Sequence, residues 1–346
     1  MAVYQIDPVH DARWRVFLEG NPQATIFHTP AWLEALRRTY GYEPAALTTA
    51  APGEELCDGL VFCRVKSWLT GCRTVSLPFS DHCEPLVETR EELARLLSAL
   101  KCDLGARTGE YLEIRPLTLL EEGSLGLDQA GSFCLHQLDL HADLEEIFRR
   151  FHKDCVQRKI RRAERELLSY QEGRSEWQLA RFYNLLVQSR RRQKLAPQPL
   201  SWFRNLITCM GERLKIRLAL KDGRAVASIL TLRYKDTLVY KYGCSDRKFN
   251  RLGGMQLLFW KAIQEAKQEG ICTFDFGRSD WDQPGLITFK DRWGAVQTPI
   301  AYWRYGIYPL PRTTPGWHNR LARRIFGHMP DAFLPLAGSL MYRHLG

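Results

Sequence analysis

The sequence has no apolar run of about eighteen residues, the length a membrane-spanning helix needs. Its opening, Met1-Ala2-Val3-Tyr4-Gln5-Ile6-Asp7, lacks the basic start and apolar centre of a signal peptide, so a cytoplasmic location is expected. The 10 cysteines are scattered, with no Cys-x-x-Cys pair and no His/Cys cluster at metal spacing. That sets aside a disulfide framework and a zinc centre, and no metal is expected. Ser-His-Asp order, a Gly-x-Ser-x-Gly elbow and a reactive-cysteine signature are also missing, which disfavours chemistry through a covalent acyl-enzyme.

What is present is an ordinary globular composition, 45% hydrophobic and 25% charged, on a chain of 346 residues that suits two domains rather than one. The net charge of +10 predicts attraction to polyanions: nucleotides, tRNA, anionic lipid surfaces or phosphorylated carriers. The basic residues are concentrated. Arg149, Arg150, Lys153, Arg158, Lys159, Arg161, Arg162 and Arg165 fall in one helical stretch, Asp143 to Leu167, and Arg190, Arg191, Arg192 and Lys194 end another.

The most informative stretch runs from Tyr240 to Trp293. Leu238 to Cys244 reads as a strand, Arg251 to Glu269 as a helix and Cys272 to Gly277 as a second strand packed on the first. Met255, Leu258, Phe259, Ala262, Ile263 and Ala266 recur at helical spacing and need a core to cover them. Ahead of the helix, Asn250-Arg251-Leu252-Gly253-Gly254 forms a basic, glycine-bearing turn that leaves backbone N–H groups free for a phosphate. A plain tight turn has the same pattern. Upstream, strands at Ile216 to Ala219, Ala225 to Tyr234 and Thr237 to Cys244 precede this unit, and Ser201 is expected to cap a helix running to Met210.

Over Tyr242-Gly243-Cys244-Ser245-Asp246, Leu257-Leu258-Phe259-Trp260-Lys261-Ala262-Ile263, Phe274-Asp275-Phe276-Gly277-Arg278-Ser279, Gly285-Leu286 and Phe289-Lys290, the sequence resembles the FemAB-like branch of the GNAT superfamily, also described as a BioF-like or CelD-like acetyltransferase domain. The resemblance implies an α/β (α+β) architecture of tandem GNAT-like domains, each a mixed, mostly antiparallel sheet flanked by helices. It also implies transfer of an acyl or aminoacyl group to an amine. On that basis residues 1–140 are the acceptor-side domain, 141–310 the acyl-donor domain and 311–346 a basic amphipathic helical tail.

The expected site residues follow from both readings. Asn250, Arg251, Gly253 and Gly254 would bind the donor. Asp275, closing an apolar strand, would activate the amine, or instead cap or pair locally with Arg278; Tyr242 would donate to the leaving group or simply pack. In FemX-like relatives a Phe-Lys pair steadies charge at the attacked ester, and Phe289 and Lys290 match it here; a surface lysine paired with Asp291 or Asp282 is the plain alternative. The loop Leu77-Pro78-Phe79-Ser80-Asp81-His82-Cys83-Glu84-Pro85 also resembles the family, making Ser80, Asp81 and His82 substrate-pocket candidates, or members of an Asx-type turn. Arg158 and Arg162, four apart on one helical face, are the candidates for a phosphate-bearing substrate.

Three functions are compatible with these residues. The first is an N-acyltransferase using acyl-CoA on an amino-sugar or amino-acid acceptor, sugar-nucleotide-borne or free, in envelope or polysaccharide biosynthesis. The second is a FemX-like transferase using aminoacyl-tRNA on a peptidoglycan precursor. The third is a non-catalytic polyanion-binding module. No DNA partner is expected. The tail, with Trp317, Leu321, Ile325 and Phe326 among Arg320, Arg323 and Arg324, either lies on the inner face of a membrane or caps the protein's own core.

Overall fold

The computed structural model describes residues 2–68, 70–104, 110–306 and 333–345. The described residues form two compact units: one drawn from residues 2–132, 299–306 and 339–345, the other from residues 133–298 and 333–338. The architecture is a mixed α/β fold of strands flanked by helices.

In the first unit, strands β1 (Tyr4–Ile6), β2 (Glu43–Thr48), β3 (Leu60–Ser67) and β4 (Gly71–Val75) form an antiparallel run. Helix α1 (Ala12–Gly20) follows β1, and α2 (Pro30–Tyr40) starts as its sequence suggests, with Thr29 accepting from the Trp32 amide and Pro30 in the first turn. Helix α3 (Arg90–Asp103) then crosses over to β5 (Tyr111–Ile114), which is parallel to β4. The returning strand β12 (Val296–Gly306) pairs with β5, matching Trp303 with Ile114. Trp303 and Ala301 join Leu60, Phe62, Leu96, Leu112 and Ile114 in this unit's core.

The second unit repeats the plan. Strands β7 (Ser169–Gly173), β8 (Leu214–Lys221), β9 (Arg224–Tyr234) and β10 (Thr237–Ser245) are antiparallel. Helix α8 (Gly254–Gln268) crosses to β11 (Thr273–Asp280), parallel to β10, and β6 (Asp128–Asp139) pairs with β11 antiparallel. Each unit therefore takes its closing strand from the stretch that follows the other unit's crossover. The apolar face of α8 is covered as its periodicity requires. Phe259 meets Tyr240, Phe276 and Trp293 with ring centroids 4.7, 5.3 and 5.2 Å away.

The expected single helix over Asp143 to Leu167 is broken. Helix α4 (Leu144–Arg150) stops at Phe151, whose backbone turns extended so that its ring can reach Trp260 and Trp293. The His152 amide then donates to the Arg292 carbonyl, and a π-type turn, Lys153–Gln157, leads into α5 (Arg158–Arg165). The Gln157 side-chain amide donates to the Phe148 and Phe151 carbonyls that the break exposes. The helix expected from Arg251 begins only at Gly254, after a 3-10 turn over Arg247–Leu252. Two other helices fill this unit: α6 (Glu176–Arg192), and α7 (Leu200–Met210), whose N-cap is Pro199 rather than the expected Ser201. The residues Trp317 to Phe326, on which the tail expectation rested, lie outside the described residues. Leu334–Leu345 is helical.

Candidate functional site

Parallel strands β10 and β11 are paired only from Thr237 to Val239 against Thr273 to Asp275 and then part. Both become irregular there. β10 shifts register against β9 between Tyr240 and Tyr242, and β11 shifts against β6 between Asp275 and Arg278, where Gly277 has φ 71°. A cavity of about 180 Å³ lies in this unit, lined by Lys159, Ala227, Ser245, Asn250, Gly254 and Gln256 among others, with Phe289 on its wall. A larger groove of about 660 Å³ is lined by Arg158, Lys159, Arg162, Arg165, Asn250 and Arg251, with Glu166 as its one acid.

The start of α8 is what makes this region receptive to anions. Gly253 occupies the N-cap in the left-handed region, φ 83°, and brings no side chain to satisfy the first turn. Leu257 is the first amide to find a helical partner, the Gly253 carbonyl; the N–H groups of Gly254, Met255 and Gln256 have none among the described residues. The start of α3, in the same topological place in the first unit, is closed on itself. Thr89 accepts from the Glu92 amide, and Glu92 accepts from the Thr89 and Glu88 amides. Glu91 and Glu92 also place negative charge there.

The expected donor residues Asn250, Arg251 and Gly254 and the expected phosphate partners Arg158 and Arg162 thus line one continuous basic region through two elements. Gly253 stands behind it: a Cβ there would lie 2.2 Å from the Lys159 carbonyl oxygen, so α5 and the turn approach as closely as only glycine allows. Arg158 and Arg162 pair with Asp154 and Glu166 at 3.2 and 3.5 Å, but all four side chains are at least a third exposed. Such exposed pairs hold their partners by about 0–1 kcal/mol and leave the guanidiniums available.

Of the expected catalytic group, Phe289 on α9 (Pro284–Asp291) lines the cavity and packs on Phe259. The surface alternative for Lys290 does not hold, because its side chain is buried and its ammonium donates to the Gly277 and Arg278 carbonyls at 2.7 and 3.0 Å. Asp275 is buried and accepts from the Gly277 amide at 2.6 Å, fixing the same bulge from the other side. Tyr242 faces α7: its hydroxyl accepts the Trp202 indole N–H at 2.9 Å and its ring meets Phe203 edge-on. In the first unit Ser80 and His82 are buried. Ser80 donates to the Leu77 carbonyl, the Asp81 carbonyl accepts from Tyr302, and His82 packs edge-on against Phe27. Their loop holds Leu77 and Phe79 at φ 69° and 61°, uncommon for side chains of that size.

Sequence reasoning missed several members. Lys159, Arg165, Ser245 and Gln256 line the two cavities, and Gln256 is a polar residue inside an otherwise apolar helix face, a signal that was there to find. His136 on β6 is also new. It is fully buried, with Nε2 3.2 Å from the Asp291 carboxylate on α9. Burial lowers its imidazole, the nearby Lys290 charge lowers it further, and Asp291 only partly offsets them, so His136 is held neutral below its ordinary titration range.

The comparisons with known proteins agree with this layout. Residues 150–290 match the family model described as an acetyltransferase (GNAT) domain. The chain is similar to the crystal structure of FemX, with a TM-score of 0.68, 15% identity, and coverage of 87% of this chain and 97% of that one. It is also similar to a tandem GNAT protein from the clavulanic acid biosynthesis pathway: TM-score 0.52, 9% identity, 90% and 100% coverage. A third similar structure is a conserved protein of unknown function from Bacteroides thetaiotaomicron, with a TM-score of 0.53, 10% identity, and 79% and 88% coverage. No curated protein matches in sequence. The fold is therefore of the GNAT type, with a tandem GNAT protein among the structures it is similar to.

Proposed function

We propose that the protein is an N-acyltransferase that takes an acyl group from acyl-CoA and places it on the amine of an amino-sugar or amino-acid acceptor, in the cytoplasmic assembly of an envelope or polysaccharide precursor. The observation that carries this reading is the contrast between the two helix starts. The second unit leaves three N–H groups open beside Asn250, Arg251 and Lys159, where the first unit's helix caps itself with Thr89 and Glu92. The donor's phosphates sit at the α8 start, and its acyl arm enters the gap between β10 and β11.

The amine must arrive without its proton. Asp275, at the point where the strands part, and neutral His136 are bases that this part of the fold offers. Lys290, fixed on the β11 bulge, holds Phe289 against the cavity and supplies a preorganised positive charge that water would have to reorient to match. Attack of the neutral amine nitrogen on the thioester carbonyl forms the C–N bond and breaks the C–S bond; the proton the nitrogen then loses passes to the base and from it to the departing sulfur, so that CoA leaves as the thiol.

A second donor class is favoured by one feature. Five cations face one acid in the groove beside the cavity, a surface suited to an RNA backbone. A FemX-like use of aminoacyl-tRNA on a peptidoglycan precursor is the corresponding alternative, and a silent polyanion-binding module is the third. Thermal shift with acetyl-CoA, longer acyl-CoAs, tRNA and UDP-amino sugars separates them. A CoA ester at a hundredfold excess over its Kd is expected to raise the melting temperature by roughly 5 °C or more. Stabilisation by tRNA alone overturns the acyl-CoA reading in favour of the second, and polyanion binding without acyl transfer to any amine points to the third.

A further inference from the structure

The hairpin joining β3 to β4 in the first unit carries Trp68 at its tip, 86% exposed, the most exposed large hydrophobic residue among those described. Leaving an indole in water forfeits the burial of roughly 150–250 Å² of side chain, so the fold gains nothing internally from a tryptophan here. The hairpin is braced from below. Thr70 and Arg73 donate to the His344 carbonyl at 2.7 and 2.8 Å, Ser67 Oγ lies 3.0 Å from His344 Nδ1, and Tyr42 donates to the Arg343 carbonyl at 2.9 Å. The end of the C-terminal helix is therefore fastened to the hairpin base, and the His344 ring stands edge-on to Trp68 at 5.5 Å. Leu340, one turn before His344 and on the same helical face, is 66% exposed.

Cations frame this apolar pair. Lys66 shares Trp68's side of the hairpin, and Arg343 neighbours His344; both are exposed and neither has an acidic partner among the described residues. In sequence, residues 307–346 hold Arg312, Arg320, Arg323, Arg324 and Arg343 against the single acid Asp331. We propose that the Trp68 hairpin tip, with Leu340, Lys66 and Arg343, is a docking surface for an anionic lipid bilayer. An indole on a fixed base, ringed by cations, combines the apolar and electrostatic signals that reversible interfacial binding needs. Self-association through the same patch is disfavoured, since a two-fold interface would bring two copies of this cationic surface together.

The test is flotation of the full chain with vesicles of mixed phosphatidylcholine and phosphatidylglycerol, and with phosphatidylcholine alone. Binding to the mixed vesicles, loss at high salt and no binding to the neutral ones are expected. Trp68→Ser should lower the bound fraction several-fold, and Lys66→Gln and Arg343→Gln by roughly five-fold each, with the melting temperature unchanged because all three side chains are exposed. A wild-type chain that stays at the bottom with mixed vesicles overturns the proposal. So does a Trp68→Ser chain that floats like the wild type, or a dimer in solution that Trp68→Ser abolishes without any vesicle binding.

Discussion

Gly253 and Lys290 define the candidate site by what they touch. Gly253→Ala would drive a methyl group into the Lys159 backbone and ask alanine for φ 83°, so a loss of roughly 1–3 kcal/mol of stability is expected, together with weakened donor binding. Equilibrium denaturation and titration with acetyl-CoA measure the two effects. Lys290→Met leaves the Gly277 and Arg278 carbonyls without their donor inside the fold, which costs about 1–3 kcal/mol besides any loss of rate. Only a fall in kcat beyond what Lys290→Arg produces at matched stability assigns its charge to the reaction. His136 gives the pH signature. Its folded imidazole titrates below the unfolded one, so the unfolded chain binds the extra proton; stability is complete above the ordinary value near 6.5 and falls as pH drops from there to the lowered folded value. His136→Gln should flatten that part of a melting-temperature profile. The sequence did point to Lys290, through its resemblance to a family pair, yet its burial on two carbonyls depends on a bulge that periodicity does not mark. His136 had no motif at all; only the pairing of β6 with β11 brings it to α9.

At the scale of elements, the same β-α-β crossover appears twice with opposite electrostatics. Helix α3 begins with two glutamates and a capping box, α8 with two glycines after a basic turn. The α8 start is written in five adjacent residues, Asn250 to Gly254, which is why that half of the contrast was legible in advance; the α3 capping box emerges only in the fold. The groove beside α8 was legible only in part. Arg158 and Arg162 were placed by their spacing, but the helix break at Phe151 rests on aromatic packing between segments far apart in sequence. Charge reversal at Arg165 and Arg251 should weaken donor binding about ten-fold or more in combination and flatten its salt dependence, whichever phosphate-bearing donor is used. An unchanged Kd in the double variant would remove the groove from the site.

For the whole molecule, the units are alike in strand layout and unlike in how the chain composes them. The second unit is drawn largely from residues 133–298, whereas the first also needs β12 and the end of the C-terminal helix. Nothing in Val296 to Gly306, a stretch interrupted by Pro299, signals that it returns to β5. Trp303 nonetheless sits fully enclosed in the first unit's core. Trp303→Ala should therefore destabilise that unit by about 3–5 kcal/mol and, in calorimetry, shift one transition while leaving the other near its original temperature.

The returning strand also sets an order on biosynthesis. A ribosome making this chain delivers β1 to β5 early, then the whole body of residues 133–298, and only afterwards the strand that closes β5. At ordinary elongation rates that interval is on the order of ten to thirty seconds. Throughout it the edge of β5 is an open template and the cavity meant for Trp303 is vacant. The half that emerges first is the half that matures last, and it is the part of the nascent protein most in need of a chaperone.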